Sequence, residues 1–319
     1  MALDHDQAED HFRRVAKRLV SGRVVPLLGA GVNRCGRPEG VEWHKPEYLP
    51  DGGELAEYLA ELADFPDRPA RDLLRVSQYY AVMDSVGSLY DGLREILDAD
   101  YPPTAVHEFF AELPEVRARC EQEKPPGVII TTNYDDLLER ALRARNVAFD
   151  LVAYQAVGEY VGSFMHYRDG MEPVPIGVPN AYMELDPEEK LVVLKIHGAI
   201  DRQDMDRDSY VITEDDYIEY LAQVDPSEFM PAPVLAYLKR CYFLFLGYSL
   251  RDWNLRVILN KIWDSQRVGY NHWAIQLNPA DVDERFWMKR GVDIIDRPLE
   301  EYIAGLREHL PDRADAPVP

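Results

Sequence analysis

The residues of this sequence best equipped for chemistry are Asn133 and Asp135 in the run TTNYD, and His197 in the run KIHG. A carboxamide and a carboxylate two positions apart can aim hydrogen bonds at one small region, orienting a polar ligand and holding an attacking water. An imidazole, with an ordinary pKa of about 6.5, serves as a base near neutrality. Each has a plainer role open to it. Asn133 or Asp135 can cap the helix expected in DDLLERAL by accepting from its free N–H groups, and a lone histidine can be an ordinary core or surface residue. Two glycine-bearing turns accompany them. In LLGAGVNRCG, Gly29 and Gly31 can leave N–H groups open to an anion or simply form a strand-to-helix turn, and Arg34 stands where a strict GxGxxG has its third glycine. In LGYSLRDWNL, Ser249 follows Gly247 and Tyr248 either as an N-cap, with Asp252 as its capping-box acid, or as a contact to a phosphate-bearing ligand at the same helix start.

The elements that must position these groups follow from periodicity. Phe12, Val15, Ala16, Leu19 and Val20 have helical spacing and predict an amphipathic helix ending near Ser21-Gly22. VVPLLGAGVN, running into a glycine-rich turn, and GVIITTNYD (127–135), LVVLKIHG (191–198), YFLFLGYS (242–249) and HWAIQLN (272–278) read as continuous apolar strands of the kind buried on both faces of a parallel sheet, and GVDIID is a shorter one. Helical patterns follow most of them, so the expected fold is α/β, a Rossmann-like doubly wound parallel sheet covered on both sides. In such sheets ligands bind beyond the carboxyl ends of the strands. Gly29-Ala30-Gly31, Thr132-Asn133-Tyr134-Asp135, His197-Gly198 and Gly247-Tyr248-Ser249 all fall at such ends, with Gly198 read as room for a ligand to come close. Residues 51–123 lack a comparable strand and read as a helical insertion, and about 155–190 reads as a second, loop-like insertion, a substrate cover or an assembly surface. Residues 1–310 are expected to form a single domain, with a disordered tail over 311–319.

Bulk composition narrows the function. With 57 acidic against 35 basic residues among 319, the formal charge of −22 opposes nonspecific attachment to nucleic acid or anionic lipid. An anionic ligand must then be held by local backbone N–H groups and helix N-termini. Charges run through the first twenty residues, and no apolar stretch approaches the ~20 residues that cross a bilayer, so a cytoplasmic location is expected. Cys35, Cys120 and Cys241 lie far apart and form neither a zinc ribbon nor a disulfide framework.

GAGVN, TTNYD, KIHG and GYSL, in that order and each at a strand end, resemble the sirtuins, the silent information regulator two family, over about residues 22–280. VITEDDYIEYL followed by FLFLGYSLRDWNLR is similar to the bacterial sirtuin-like branch of antiphage-defence effectors. The resemblance implies a Rossmann-type NAD site; with no cysteine cluster, no metal is expected. Ala30, Gly31 and Asn33 would line pyrophosphate and ribose, Asn133 and Asp135 would face the nicotinamide end, and His197 would be the catalytic base. Gly247 and Ser249 would hold phosphate and ribose, with the adenine side near Gln276 to Asn278. Gly29, Thr132 and Tyr248 complete the candidate ligand-binding set. Two departures separate the chain from sirtuin deacylases: it lacks their four-cysteine zinc module, and Arg37-Pro38-Glu39 stands in place of their acidic, aromatic and basic triplet. Asn33 replaces the family's usual serine.

The implied activity is hydrolysis of NAD at the nicotinamide-ribose bond, depleting NAD in abortive infection. The implied partners are further copies of the chain, or an activator such as a HerA-like ATPase or a short Argonaute. An NAD-dependent deacylase or ADP-ribosyltransferase, recognisable by its need for a protein co-substrate, is the rival enzyme. A non-catalytic sensor of NAD or ADP-ribose is the rival of another class.

Overall fold

The computed structural model describes residues 5–120, 126–222, 230–248 and 271–311, together with Val257, Leu259, Ile262 and Trp263. The chain enters through helix α1 (His5–Val20), whose residues Phe12, Val15, Ala16, Leu19 and Val20 are all buried, as their spacing predicts. Gly22, at φ +66°, turns the chain into strand β1 (Val24–Leu28), and every residue of that strand is buried. The helices α2 (Gly52–Leu62), α3 (Leu73–Met83), α4 (Val86–Leu97) and α5 (Ala105–Arg119) come next, before the sheet resumes at β2 (Val128–Thr131). Then come α6 (Leu137–Ala144), β3 (Phe149–Tyr154), β4 (Phe164–Tyr167), β5 (Val174–Ile176) and β6 (Leu191–Lys195). After β6 lie a small ribbon of β7 (Gly198–Ala199) and β8 (Ser209–Tyr210), then α7 (Glu214–Ala222), α8 (Ala232–Leu238) and β9 (Tyr242–Leu246). The last described elements are β10 (His272–Gln276), α9 (Asp281–Met288), β11 (Val292–Asp296) and α10 (Leu299–Glu308).

The main sheet has nine strands in the order β11-β10-β9-β1-β2-β6-β3-β4-β5. It is parallel from β11 to β3, and β4 and β5 extend it antiparallel at one edge. One face is covered by α1, α5, α6 and α10, the other by residues of α7, α8 and α9. This is the doubly wound arrangement that the apolar runs predict. Strand β3 was hidden from pattern reading because Asp150 interrupts it; the carboxylate is buried there, held at 2.7 Å by Lys190 and at 3.4 Å by His166. The short strands β4 and β5 lie in the segment that shows no period, and Pro175 fits β5 because an edge strand tolerates a missing donor. The helical stretch also divides. Helices α2 to α4 build a core of their own around Leu55, Leu59, Leu89, Leu93 and Ile96, whereas α5 packs Phe109 and Phe110 on the sheet.

Three buried histidines are kept neutral by the loss of water around them. Burial pushes His272 down to about 3, and His107 and His11 to about 4. His272 stacks on Trp263, with ring centroids 4.4 Å apart, and its Nδ1 accepts from the Phe243 N–H at 3.0 Å. The unfolded chain takes up these protons near pH 6.5, and the folded chain resists until pH 3 to 4. The stabilisation is therefore complete above about pH 6.5 and lost as pH falls, by up to about 1.4 kcal/mol per pH unit for each histidine. His272→Asn keeps an acceptor for Phe243 but loses the stack. It should lower the urea midpoint at pH 7 yet make its decline between pH 6 and 4 shallower by one histidine's share; an unchanged slope would refute the assignment.

Candidate active site

Strand β1 lies between β2 and β9, and the chain that leaves β1 toward β2 and β6 returns to β9 on its other side. The carboxyl ends of β1 and β9 therefore flank the point where strand order reverses, where open α/β sheets bind ligands. The two turns there are pressed together. Gly29 N–H donates to the Leu246 carbonyl at 3.0 Å, and Gly31 N–H to the Gly247 carbonyl at 2.9 Å. These N–H groups, which the sequence leaves available to an anion, are spent on neighbouring backbone. The glycines serve close approach instead: a Cβ on Gly31 would stand 2.8 Å from the Gly247 oxygen, and one on Gly247 would stand 2.3 Å from the Val32 nitrogen. Gly247 also sits at φ +65°.

Beyond β1 a 3-10 helix, Ala30–Arg34, carries Asn33 inward. Beyond β2, the Thr131 hydroxyl donates to the Leu28 carbonyl and accepts from Asn133 N–H, fixing the TTNYD turn to the end of β1. The Asn133 amide donates to the Gly29 carbonyl at 3.3 Å, so Asn133 is no helix cap. Asp135 partly is: its Oδ1 accepts from Leu137 N–H at the start of α6, and its Oδ2 accepts from the Asn33 amide at 3.0 Å. A carboxylate only accepts, which fixes the Asn33 amide orientation and leaves Asn33 Oδ1 buried with no hydrogen-bond partner among the described residues. Behind the turn, the ammonium of Lys195, at the end of β6, donates to the Asp135 carbonyl and to Glu139 Oε1 at 2.7 Å.

His197 follows β6 and is 3% exposed. Its Nδ1 lies 3.4 Å from the Tyr217 hydroxyl, and its ring meets Tyr217 and Tyr220 edge-on. The next residue corrects one expectation. Gly198, at φ +88°, makes room for backbone rather than for a ligand, since a Cβ there would lie 2.0 Å from the Ser209 carbonyl across the β7-β8 ribbon.

A cavity of about 150 Å³ opens over these strand ends, and Ala30, Asn33, Thr132, Asn133, Asp135 and His197 all line it. It is smaller than the ~300–1,000 Å³ of most ligand pockets, enough for the reacting end of an extended ligand. Gly29, Gly31, Gly247 and Tyr248 shape the turns beside it without lining it. Asn278 is exposed at the end of β10, its N–H donating to Asp296 Oδ1, and is not brought to the cavity. Ser249 lies outside the described residues.

The sequence reading missed the other walls. Tyr217 comes from α7, while Leu49, Asp51, Leu55 and Leu97 come from the helical lobe. Helical spacing marks Leu55 and Leu97 only as apolar face, and nothing local tells a core leucine from a cavity wall. Two ion pairs bind this lobe to the β1 turn: Arg34 to Asp51 at 3.0 Å and Arg37 to Glu54 at 2.7 Å. Arg34 is well exposed and worth little; the Arg37 side chain is 2% exposed and is the stronger tie. From the other side, Arg202 reaches the Leu97 and Ala99 carbonyls and the carboxylate of Asp136, next to Asp135. Among the described residues no group of three or more His, Cys, Asp or Glu is placed to hold a metal ion, and no helix is long and apolar enough to cross a membrane.

Residues 127–295, more than half of the chain, match the family model of the SIR2-like domain. The chain belongs to the SIR2-like family. It is 22% identical over 305 residues to Defense-associated sirtuin 2 of Bacillus subtilis, covering 93% of this chain and 25% of that protein. It is 27% identical over 269 residues to the NAD(+) hydrolase ThsA of Enterococcus faecium, covering 81% of this chain and 45% of that one. With the NAD(+) hydrolase ThsA of Acinetobacter baumannii it shares 26% identity over 265 residues, 82% of this chain and 43% of the relative. The chain thus spans less than half the length of each of these relatives.

The glycine contact yields a prediction. Gly247→Ala adds a methyl against the Val32 backbone at a positive φ. It should cost about 2–5 kcal/mol of stability by chemical denaturation, from backbone strain and overpacking together, whereas Gly36→Ala, also at positive φ but with open space around it, should cost only the strain.

Proposed function

We propose that this chain hydrolyses NAD at the nicotinamide-ribose bond, releasing nicotinamide and ADP-ribose, as an NAD-depleting effector of bacterial antiphage defence. The observation that carries the reading is the convergence of Asn133, Asp135 and His197 on one cavity at the strand-order reversal. Membership of the SIR2-like family and similarity to proteins named for NAD hydrolysis and for defence support it.

As the bond from the ribose carbon to nicotinamide lengthens, its electron pair leaves with the ring nitrogen and positive charge grows on the ribose, as in glycoside cleavage. The leaving group departs neutral, so no strong acid is needed. Asp135, buried and held in place by Leu137 N–H and Asn33, supplies negative charge beside that growing positive charge, where low dielectric strengthens the attraction. Asn133 has its amide committed to Gly29, so its carbonyl oxygen is the atom suited to accept from a ribose hydroxyl or the water. Water forms the new carbon-oxygen bond, and His197 takes the proton released. In the tautomer that gives its Nδ1–H to the Tyr217 oxygen, 3.4 Å away, Nε2 is the accepting nitrogen. Ala30, Asn33 and Thr132, which line the cavity, are assigned to ligand binding by the same reading; Gly29, Gly31, Gly247 and Tyr248 contribute by shaping the turns beside it, and Ser249 and Asn278 are assigned to the phosphate and adenine portions of a ligand that extends beyond it. An NAD-depleting enzyme must be silent before infection, which calls for assembly into a homo-oligomer or for an activating partner.

The purified protein, with its activator where one is needed, should release nicotinamide from NAD without any acyl-peptide. Asn133→Ala and His197→Ala should each lower the rate by about 100-fold or more with circular dichroism unchanged. Full activity in either variant would remove its residue from the mechanism, and NAD binding with no turnover under any condition would point to a sensor instead.

A further inference from the structure

The mechanism just described leaves unused a buried ion pair beside the TTNYD turn. Lys195 and Glu139 form an ion pair with side chains only 1% and 3% exposed, at 2.7 Å. Removing two charges from water costs several kcal/mol per ion, and an apolar pair of similar volume is commonly as stable or more so. The pair is not even fully satisfied, since Glu139 Oε2 has no hydrogen-bond partner among the described residues. Stability alone is a poor account of it.

Its location gives a better one. Lys195 is the last residue of β6, two before His197, and is in register with Thr131 at the end of β2. Its ammonium holds the main-chain carbonyl of Asp135. Asp135 in turn holds Asn33, which follows β1. One chain of hydrogen bonds therefore ties the ends of three adjacent strands, β6, β2 and β1, immediately behind the residues that line the cavity. Glu139, in the first turn of α6, also accepts from the ammonium. A leucine or methionine at position 195 would fill the space but offer no donor to the Asp135 carbonyl.

We propose that Lys195 and Glu139 are positioning residues: their buried pair sets the Asn133–Asp135 turn against His197. The proposal rests on the hydrolase reading for its effect on rate, and on geometry alone for its effect on the turn. The pair touches no substrate; it acts through the Asp135 peptide. Removing it leaves the binding groups present and their relative placement loose, which costs rate more than affinity. A misplacement of about 1 Å at a reacting centre costs about 100-fold.

The test uses the full chain with Lys195→Met/Glu139→Leu, which replaces both charges by apolar groups of similar size, and Lys195→Met alone, which removes only the donor to the Asp135 carbonyl. The double variant should unfold within a few degrees of the wild type. Its kcat for nicotinamide release should fall by about 100-fold while KM stays within about threefold. Amide hydrogen exchange at residues 132–136 should quicken at least about tenfold while β1, β2 and β6 keep their protection. Wild-type kcat and exchange in either folded variant overturn the proposal. So does loss of activity in both variants strictly in step with loss of fold, which would leave the pair a structural role only. Should the wild type release no nicotinamide, the hydrolase reading falls, while exchange at the turn and calorimetric binding of NAD still decide whether the pair positions it.

Discussion

Everything at the carboxyl edge of this sheet depends on two backbones approaching without side chains between them. Gly31 donates to the Gly247 carbonyl at 2.9 Å, and neither position has room for a Cβ. That contact joins the turn after β1 to the turn after β9 where strand order reverses. The 3-10 helix Ala30–Arg34 that starts there carries Asn33 to the turn after β2. Asn33 thereby meets Asp135 across 102 residues of sequence. The glycines act by geometry: Gly29 and Gly31 give their N–H groups to the fold, and the close approach fixes where the polar side chains stand.

The site that results is dense in groups that cannot be satisfied by chance. Asp135 caps a helix through one oxygen and holds Asn33 through the other, while its carbonyl takes the Lys195 ammonium. The plain reading of Asp135 as a helix cap and the chemical reading are thus both true of one residue, through different atoms. Asn133 is free of capping because its amide turns back to Gly29. An acidic chain of formal charge −22 brings arginines to this end of the sheet, Arg34 and Arg37 on the β1 turn and Arg202 beside Asp136. Each is paired with a carboxylate of the same region, so their described role is to hold the helical lobe over the cavity.

That lobe is where local pattern and tertiary role part company. Its helices are announced by periodicity, and in the structure Asp51 starts α2 through a capping box with Glu54. The same Asp51 lines the cavity and pairs with Arg34, neither of which periodicity encodes. Strand β3 shows the opposite case: a buried aspartate broke its apolar run, and Lys190 and His166, from elsewhere in the chain, make that aspartate tolerable.

The sequence by itself determined the alternation of strands and helices, the parallel core strands, and the polar residues at their ends, because burial on both faces imposes unbroken apolar runs and the exits from them are conspicuous. It also marked Asn133, Asp135 and His197 as the groups able to do chemistry. Only the tertiary structure decided that β4 and β5 widen the sheet, that Gly198 serves the β7-β8 ribbon, and that Asn278 stands apart from the cavity. It alone set Tyr217 against His197 and the Lys195–Glu139 pair behind Asp135. The reason is physical: periodicity reports which face of an element is buried, whereas the partner across that face is chosen by strand order and lobe packing, which arise from contacts far apart in the chain.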